Sequence, residues 1–178
     1  GFPEMELDIS ESNYLNIIVA EAVQKMLYDN LGINIKINYY PLSVLIEKFI
    51  NAKSDLFGVT WLADYPDPQN FLQMFYGQVI PEMKYDESGE AVVTPSYTNF
   101  PRYKNDYFDA CYDKAIHAIE QDSAIYYYLK ADSTLIADAA LVPIYYGQNI
   151  RLIQSNVHAF PINSMEYRDL SRVFLSNK

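Results

Sequence analysis

The chain has 178 residues, about the length of one domain, and its 50% hydrophobic and 20% charged residues are typical of a globular protein. A formal net charge of −10 argues against nucleic-acid binding, which depends on clustered Lys and Arg, and against an anionic membrane surface. No apolar run approaches the ~20 residues of a membrane-spanning helix. No signal peptide is present either, so any export signal would have been removed or lie outside this chain.

The first part of the chain predicts strands and helices in alternation. Residues 4–10 alternate polar and apolar side chains, as a strand does, and a helix begins near Tyr14 with Ser12 or Asn13 as its cap. Gly32 is expected to end this helix in the left-handed conformation that glycine adopts readily. The buried face of the helix is predicted from its apolar residues: Ile17, Ile18, Ala22, Val23, Met26 and Leu27.

A second strand is predicted over residues 33–39, where Ile and Tyr alternate with Asn and Lys. Ser43 can cap the next helix, and a third strand is predicted from Asp55 to about Ala63. Strands and helices in this order favour right-handed crossovers and a mainly parallel sheet. The predicted fold class is therefore α/β, with a mixed, mainly parallel sheet flanked by helices.

The middle of the chain changes character. Residues 64–68 form a rigid, proline-fixed loop sequence, and residues 70–76 are predicted to form one short helix. Residues 78–97 show little periodicity and are predicted to be a polar loop insertion, with a hairpin around Ser88 and Gly89.

Two longer helices are predicted next. Asn105 can cap a helix from Asp106 to about Ile119, and Ser123 can cap another that runs to Ala139. Their buried faces are predicted to contain Phe108, Cys111, Tyr112, Ala115 and Ile119 in the first, and Ile125, Tyr128, Leu129, Ser133, Leu135 and Ile136 in the second. The last predicted elements are strands over residues 142–148 and 150–154 and a short element within residues 166–176.

No arrangement of residues points to catalysis or to a bound metal. Cys111 falls on the apolar face of a predicted helix, where a buried structural thiol is expected, and no Gly-x-Ser-x-Gly motif is present. His117 and His158 are far apart in sequence, and neither belongs to a His-x-x-x-His pair. We therefore predict no catalytic residue, no metal ligand and no cofactor, and we expect that the protein is not an enzyme.

The segment from Gly58 to Pro68 is the most informative one. It places the only tryptophan, Trp61, at the carboxyl end of a predicted strand, directly before the acidic, proline-fixed loop. Ligands of open α/β sheets bind outside the carboxyl ends of strands, so Asp64 is a candidate fixed anion for an ammonium group. The alternative is an aspartate that only hydrogen-bonds its own turn. Together with Asp67 it could also bind a cation or an amine.

Three blocks of sequence carry a resemblance to a known family. The blocks are residues 32–71, which include Trp61-Leu62-Ala63-Asp64-Tyr65-Pro66-Asp67-Pro68-Gln69-Asn70-Phe71; residues 99–115, which include Asn99-Phe100-Pro101-Arg102-Tyr103; and residues 139–146, which read Ala-Ala-Leu-Val-Pro-Ile-Tyr-Tyr. In this order and spacing they resemble the family 5 extracellular solute-binding proteins, which are the oligopeptide, dipeptide and nickel binders of ATP-driven importers.

The resemblance implies a two-lobed, periplasmic-binding-protein-like fold, in which residues 1–178 are the carboxyl-terminal lobe and the amino-terminal lobe is missing from this chain. Its implied function is to bind peptides in the cleft and deliver them to the subunits of a membrane importer. In oligopeptide binders the aspartate at the position of Asp64 pairs with the peptide ammonium, and the strand at residues 61–63 pairs with the peptide backbone. The implied ligand-binding residues are Trp61, Leu62, Ala63, Asp64 and Tyr65.

The resemblance also implies a location outside the cytoplasm, in the periplasm or at the outer face of the cell membrane, where a lipid anchor on the missing N-terminus could hold the protein. One departure is Gly58, which stands where oligopeptide binders can carry an arginine near the peptide carboxylate. The alternatives left open are a binder of another small cationic solute or metal chelate, and a ligand-sensing domain of a regulator. An acidic-site hydrolase is disfavoured because no nucleophile–base pair is present.

Overall fold

Two regions of regular structure follow each other along the chain. The computed structural model describes residues 2–148, 150–163, 165 and 167–176. The sheet region contains β1 (Met5–Ser10), α1 (Tyr14–Leu31), β2 (Ile35–Tyr40), α2 (Leu42–Ile50) and β3 (Leu56–Phe57). The helical region contains α3 (Gln69–Leu72), α4 (Asp106–Ile116) and α5 (Gln121–Ala137). A short hairpin is formed by β4 (Lys84–Tyr85) with β5 (Ala91–Val92), and β6 (Val157–His158) pairs antiparallel with β7 (Phe174–Leu175).

The sheet is parallel and has its first strand at the centre. Both β2 and β3 pair with β1, so that Leu7 lies opposite Ile37 on one side and Leu56 on the other. The two crossovers run in opposite directions, and right-handed connections of this kind carry α1 and α2 to opposite faces of the sheet. The predicted α/β architecture of a mainly parallel sheet flanked by helices is therefore confirmed.

The ends of α1 agree with the prediction, whereas its buried face differs. The Asn13 side chain accepts a hydrogen bond from the Leu15 amide at 2.9 Å, and Gly32 ends the helix with a φ of 65°. The buried residue of the helix is Ala20, while Ile18 and Met26 are exposed. The predicted stripe was too wide, because α1 packs only against the parallel pair β1 and β2.

Two predicted caps are wrong, and in each case the helix begins earlier than its serine. The helix α2 begins at Leu42 directly after Pro41, and no side chain caps it, so Ser43 lies inside the first turn. The helix α5 begins at Gln121, two residues before Ser123. A residue inside the helical turn cannot occupy the extended backbone conformation that a capping side chain requires.

The third strand is much shorter than predicted. Sheet pairing covers only Leu56 and Phe57, and one further backbone bond joins the Gly58 amide to the Asp8 carbonyl oxygen at 2.9 Å. Residues 59–63 form no strand, so Trp61 does not lie at the end of one. After Gly58 the chain leaves the sheet, and the Trp61 side chain and the Asp64 amide bond to Asn70 at the start of the helical region.

The helical region is built around one apolar cluster. Its buried members are Leu72, Phe75, Phe108, Cys111, Tyr112, Ala115, Tyr128, Ala131 and Leu135. The predicted cap Asn105 is confirmed, since its side-chain oxygen accepts hydrogen bonds from the amides of Tyr107 and Phe108. The predicted inward placement of Ile119 is wrong, because α4 ends at Ile116 and Ile119 lies beyond it in solvent.

The buried face of α5 is narrower than predicted. Tyr128 and Leu135 are buried as expected, and Ala131 between them is fully buried. The other predicted members are exposed: Ile125, Leu129, Ser133 and Ile136. The helix packs against α4 and α3, and its buried residues form a narrow seam of Tyr128, Ala131 and Leu135.

The hairpin predicted within residues 78–97 is present as β4 and β5. The Asp86 carboxylate accepts hydrogen bonds from the amides of Ser88 and Glu90, and Gly89 adopts a φ of 85° in the turn. That the whole segment is an insertion stays a prediction. Its exposed residues include apolar ones: Met83, Tyr85, Val92, Val93 and Tyr97.

The strands predicted at residues 142–148 and 150–154 do not form. Residues 141–148 and 150–154 have no regular structure, although their composition favours strands. A strand needs a pairing partner, and none of the described residues supplies one here. The predicted C-terminal element, residues 166–176, contains β7, while Glu166 itself lies outside the described residues.

Candidate functional site

The candidate site is the connection between the sheet region and the helical region. Val59 to Ala63 follow the last sheet bond, and their backbone N–H and C=O groups make no hydrogen bond with any other residue that the structure describes. The Leu62 side chain is 69% exposed. The segment thus presents unpaired backbone groups, which are strong hydrogen-bonding groups, on the surface of the molecule.

Asn70 organises the loop that follows. It is fully buried in α3, and its Oδ1 accepts hydrogen bonds from Trp61 Nε1 at 2.9 Å and from the Asp64 amide at 3.2 Å. Its Nδ2 donates to Asp64 Oδ2 at 3.3 Å. One amide side chain therefore holds the indole, the loop backbone and the Asp64 carboxylate in a fixed relation.

The Asp64 carboxylate is held on one side only. Its Oδ2 accepts from Asn70, while Oδ1 accepts no hydrogen bond from the part of the chain that the structure describes. Asp64 is also exposed to solvent. This geometry leaves one carboxylate oxygen accessible to a hydrogen-bond donor from outside.

The second loop aspartate, Asp67, has a different environment. Its Oδ1 accepts a hydrogen bond from the Gln69 amide at 2.8 Å, which supports the start of α3. It also lies close to Tyr128 of the helical core, where burial and then the Asp67 charge raise the pKa of the tyrosine. Asp67 therefore supports the start of α3.

The five predicted site residues are consecutive and share this surface. Trp61, which is 36% exposed, and Leu62 precede the loop, Ala63 is half-buried, and the Tyr65 hydroxyl donates to Gln69 Oε1 at 3.2 Å. The sequence pattern alone assigns no role to Asn70. The available signal was an amide at the start of a short helix that directly follows a proline-fixed acidic loop.

A buried ion pair lies under the last bond of the sheet. Lys48 Nζ contacts Asp8 Oδ2 at 2.7 Å, Ser54 donates to the same oxygen, and Asn38 donates to the other one. Burial pushes the pKa of Asp8 up, but the bonds from Lys48, Ser54 and Asn38 outweigh it and hold the pKa below its usual value. Because the Asp8 carbonyl oxygen receives the Gly58 amide, this cluster supports the point where the site segment begins.

Other candidate centres give no second site. Cys111 is buried in the helical cluster, which confirms its predicted placement. Among the described residues no group of three or more His, Cys, Asp and Glu side chains could hold a metal ion. Within the same residues no helix is both long and apolar enough to cross a membrane.

Comparison with known proteins shows relatives of one kind. The chain is 24% identical over 136 residues to the periplasmic oligopeptide-binding protein OppA of Escherichia coli, which covers 76% of this chain and 22% of that protein. It is 27% identical over 148 residues to the periplasmic murein peptide-binding protein MppA of the same species, covering 83% and 24%. The predicted resemblance is confirmed. No family model matches the chain.

Solved peptide-binding structures share the fold. The chain superposes on OppA of Burkholderia pseudomallei with a TM-score of 0.76 at 19% identity, covering 98% of this chain and 31% of that one. Haemophilus influenzae OppA, solved in complex with the peptide RPPGFSPFR, gives a TM-score of 0.69 at 22% identity, covering 86% and 27%. The fold is therefore periplasmic-binding-protein-like, as predicted.

The similarity covers only part of these peptide-binding relatives. The chain spans about a quarter of the length of the curated relatives that it matches, between 22% and 26% for the four with the broadest coverage of this chain. The relatives are binding proteins rather than enzymes, which agrees with the expectation that this chain does no covalent chemistry.

Proposed function

We propose that this chain is the carboxyl-terminal lobe of a two-lobed protein that binds peptides outside the cytoplasm and delivers them to an ATP-driven importer. The relatives named as oligopeptide- and murein peptide-binding proteins support the ligand class. The structure solved with RPPGFSPFR supports a cleft that accepts a peptide of this length in a related protein. The observation that carries the proposal is the segment 59–63, whose backbone groups are unpaired among the described residues. It lies beside the Asp64 carboxylate, which Asn70 binds through Oδ2 only.

The unpaired backbone of residues 59–63 allows a peptide to bind through its main chain, whatever its side chains are. The backbone groups of Val59 to Ala63 make no bond with the other described residues, so an extended peptide can pair with them as an added strand. All peptides share the same backbone, so this mode of binding tolerates many sequences. The exposed rings of Trp61, within the segment, and of Tyr65, just after it, offer apolar contact area.

The Asp64 carboxylate supplies the charged end of the proposed site. An α-ammonium group carries three donors and is the group on a free peptide that best matches a carboxylate. The accessible Oδ1 of Asp64 would receive it, while Oδ2 stays bound to Asn70. Trp61, Leu62, Ala63, Asp64 and Tyr65 together form the proposed ligand-binding set.

The test compares a free peptide with its acetylated form on the two-lobed protein. Trialanine should bind more tightly than N-acetyl-trialanine, because acetylation removes the ammonium charge. A charge-assisted hydrogen bond contributes about 1.5–3 kcal/mol, so the difference in Kd should be about tenfold or more. Isothermal titration calorimetry measures both affinities, and equal affinities would contradict the anchor.

Two substitutions locate the effect. Asp64→Asn removes the charge at the proposed anchor, and it should remove most of the preference for the free peptide. Asp67→Asn is the matched control, because it makes the same charge change three residues away at a carboxylate that serves the turn. If Asp67→Asn lost the preference for the free peptide and Asp64→Asn kept it, the anchor would be Asp67 rather than Asp64.

The chain studied by itself should bind peptide very weakly. With half of the cleft missing, the Asp64 pair stays open to water, where an exposed ion pair contributes only about 0–1 kcal/mol. Closure by a second lobe would exclude water and strengthen the pair. Micromolar or tighter binding of trialanine to the 178-residue chain would contradict the two-lobe proposal.

A further inference from the structure

We propose that Asn70 is a positioning residue that orients the Asp64 carboxylate for the ligand. This inference rests on the proposed function, since it concerns how the same anchor is prepared. Asn70 would not touch the ligand itself, because its side chain is fully buried in α3 beneath the loop.

The orientation of the Asn70 amide follows from its partners. Trp61 Nε1 and the Asp64 amide are both donors, so the atom that faces them must be the side-chain oxygen. The side-chain nitrogen then necessarily points to the third partner, which is Asp64 Oδ2. A reversed amide would set donor against donor at two contacts and would lose all three bonds.

The consequence falls on the free oxygen of Asp64. A carboxylate bound through Oδ2 on the protein side cannot rotate freely, so Oδ1 keeps one direction toward solvent. Holding a side chain in its bound conformation before the ligand arrives removes an ordering cost of about 0.5–1.5 kcal/mol on binding, which corresponds to a change of about 2- to 12-fold in affinity. The Trp61 indole is hydrogen-bonded to the same Asn70 side-chain amide. Asn70 therefore also fixes the position of the indole ring relative to the Asp64 carboxylate.

A second buried asparagine allows a matched control. Asn99 is also fully buried, and its side chain donates to the carbonyl oxygens of Tyr76 and Tyr103 and accepts from the Tyr103 amide. It therefore resembles Asn70 in burial and in its number of bonds, but it contacts neither Asp64 nor Trp61. Loss of either asparagine should destabilise the fold, and only loss of Asn70 should alter the site.

The experiment measures the ratio of affinities for trialanine and N-acetyl-trialanine in the two-lobed protein. Asn70→Leu is expected to lower this ratio by about threefold or more, whereas Asn99→Leu should lower the melting temperature and leave the ratio unchanged. An undiminished ratio in Asn70→Leu would overturn the positioning role. If Asn70→Leu fails to fold, Asn70→Ser supplies the same comparison with a polar side chain that is too short to span the three partners.

The fluorescence of Trp61, the only tryptophan of the 178-residue chain, gives a readout that needs no peptide. Asn70→Leu should change its emission, and Asn99→Leu should not. Unchanged emission in Asn70→Leu would contradict the hydrogen bond between Trp61 Nε1 and the Asn70 side chain. The failures remain distinguishable: a wild-type protein with no preference for the free peptide refutes the proposed anchor, while a wild-type preference that Asn70→Leu retains refutes only the role of Asn70.

Discussion

The sheet region and the helical region are stabilised in different ways. The helical region packs nine buried residues into one apolar cluster that is rich in aromatic rings. The sheet region has five buried apolar residues in its elements, and it also buries the Asp8 carboxylate between its strands and Lys48 of α2. Those five residues are Ile9, Ala20, Ile35, Leu45 and Phe49. Hydrophobic burial therefore dominates the helical region, whereas a satisfied polar cluster is part of the interior of the sheet region.

The two regions are joined by the segment that precedes α4. Arg102 donates through Nη2 to the carbonyl oxygens of Ile50 and Thr94 at 2.9 Å each, and the Ser96 amide donates to the Ile50 carbonyl oxygen at 2.8 Å. The rings of Phe49 and Phe100 lie 4.8 Å apart. The end of α2 is therefore tied to the helical region, and we expect the chain to unfold as one unit.

The largest effect is expected from truncation of the helical core. Phe108 is fully buried between Tyr103 and Tyr112, so Phe108→Ala should lower the free energy of unfolding by about 3–5 kcal/mol. Differential scanning calorimetry should still show one transition, at a lower temperature, because the regions are tied together. Tyr107→Ala at the exposed neighbouring position is the control and should change little. Two separated transitions would mean that the regions unfold independently.

The second-largest loss of stability is expected from disruption of the polar cluster of the sheet region, which consists of Asp8, Asn38, Lys48 and Ser54. Lys48→Met leaves the buried Asp8 carboxylate without its cation, and removing one partner of a buried pair costs about 3 kcal/mol. The control is Lys25→Met, which removes an exposed pair with Asp29 and should have little effect. Urea unfolding measures both changes. Equal changes in the two variants would contradict the role of the buried pair.

The same cluster predicts a pH dependence in a definite direction. The folded pKa of Asp8 lies below its unfolded value near 3.8, so its contribution to stability is complete above that value and is lost as the pH falls through the folded pKa. In Lys48→Met the depression of the pKa is weaker, so the pH-dependent loss of stability should be smaller and should be complete at a higher pH. Unfolding curves taken between about pH 2 and pH 6 check this expectation.

A close contact in the helical region predicts a smaller effect. A Cβ on Gly77 would lie 2.5 Å from Asp109 Oδ2, and Asp109 already accepts the Gly77 amide at 2.8 Å. Gly77→Ala should therefore destabilise the protein by about 1–3 kcal/mol. Gly147→Ala meets nothing within 4 Å and is the control. Adding Asp109→Ala to Gly77→Ala should be less than additive, and strict additivity in a double-mutant cycle would contradict the contact.

The last prediction concerns the accessibility of the Cys111 thiol to a reagent rather than the stability of the fold. Cys111 is buried in the helical cluster, so its thiol should react with a thiol reagent only as fast as the region opens. The labelling rate in Phe108→Ala should rise in parallel with its lower stability. Rapid labelling of the native wild-type protein would show that the cluster is open in solution.

Local signals in the sequence predicted most of the helix and strand positions. Asn13, Gly32 and Asn105 act at helix ends through bonds within a few residues, and a local pattern is sufficient to find them. Ser43 and Ser123 carried the same signal, but each helix begins before its serine and has no side-chain cap. Intrinsic capping preferences contribute only about 1 kcal/mol and are easily outweighed.

Features that depend on distant partners could not be predicted in the same way. The segments 55–63 and 142–148 have strand-like composition, but most of the first and all of the second remain unpaired among the described residues. The proposed site residues around Asp64 are consecutive, so the resemblance could point to them through one continuous motif. The role of Asn70 could not, since it depends on the path by which Trp61 returns to α3.

The central position of β1 has a consequence for synthesis. Its two partner strands end at Tyr40 and Phe57, so β1 must wait during synthesis for 47 further residues after Ser10 before both of its edges are covered. At about 5–20 residues per second this interval is about 2–10 s. During that time a strand with two open edges is exposed to other chains, and a holding chaperone would act best on β1.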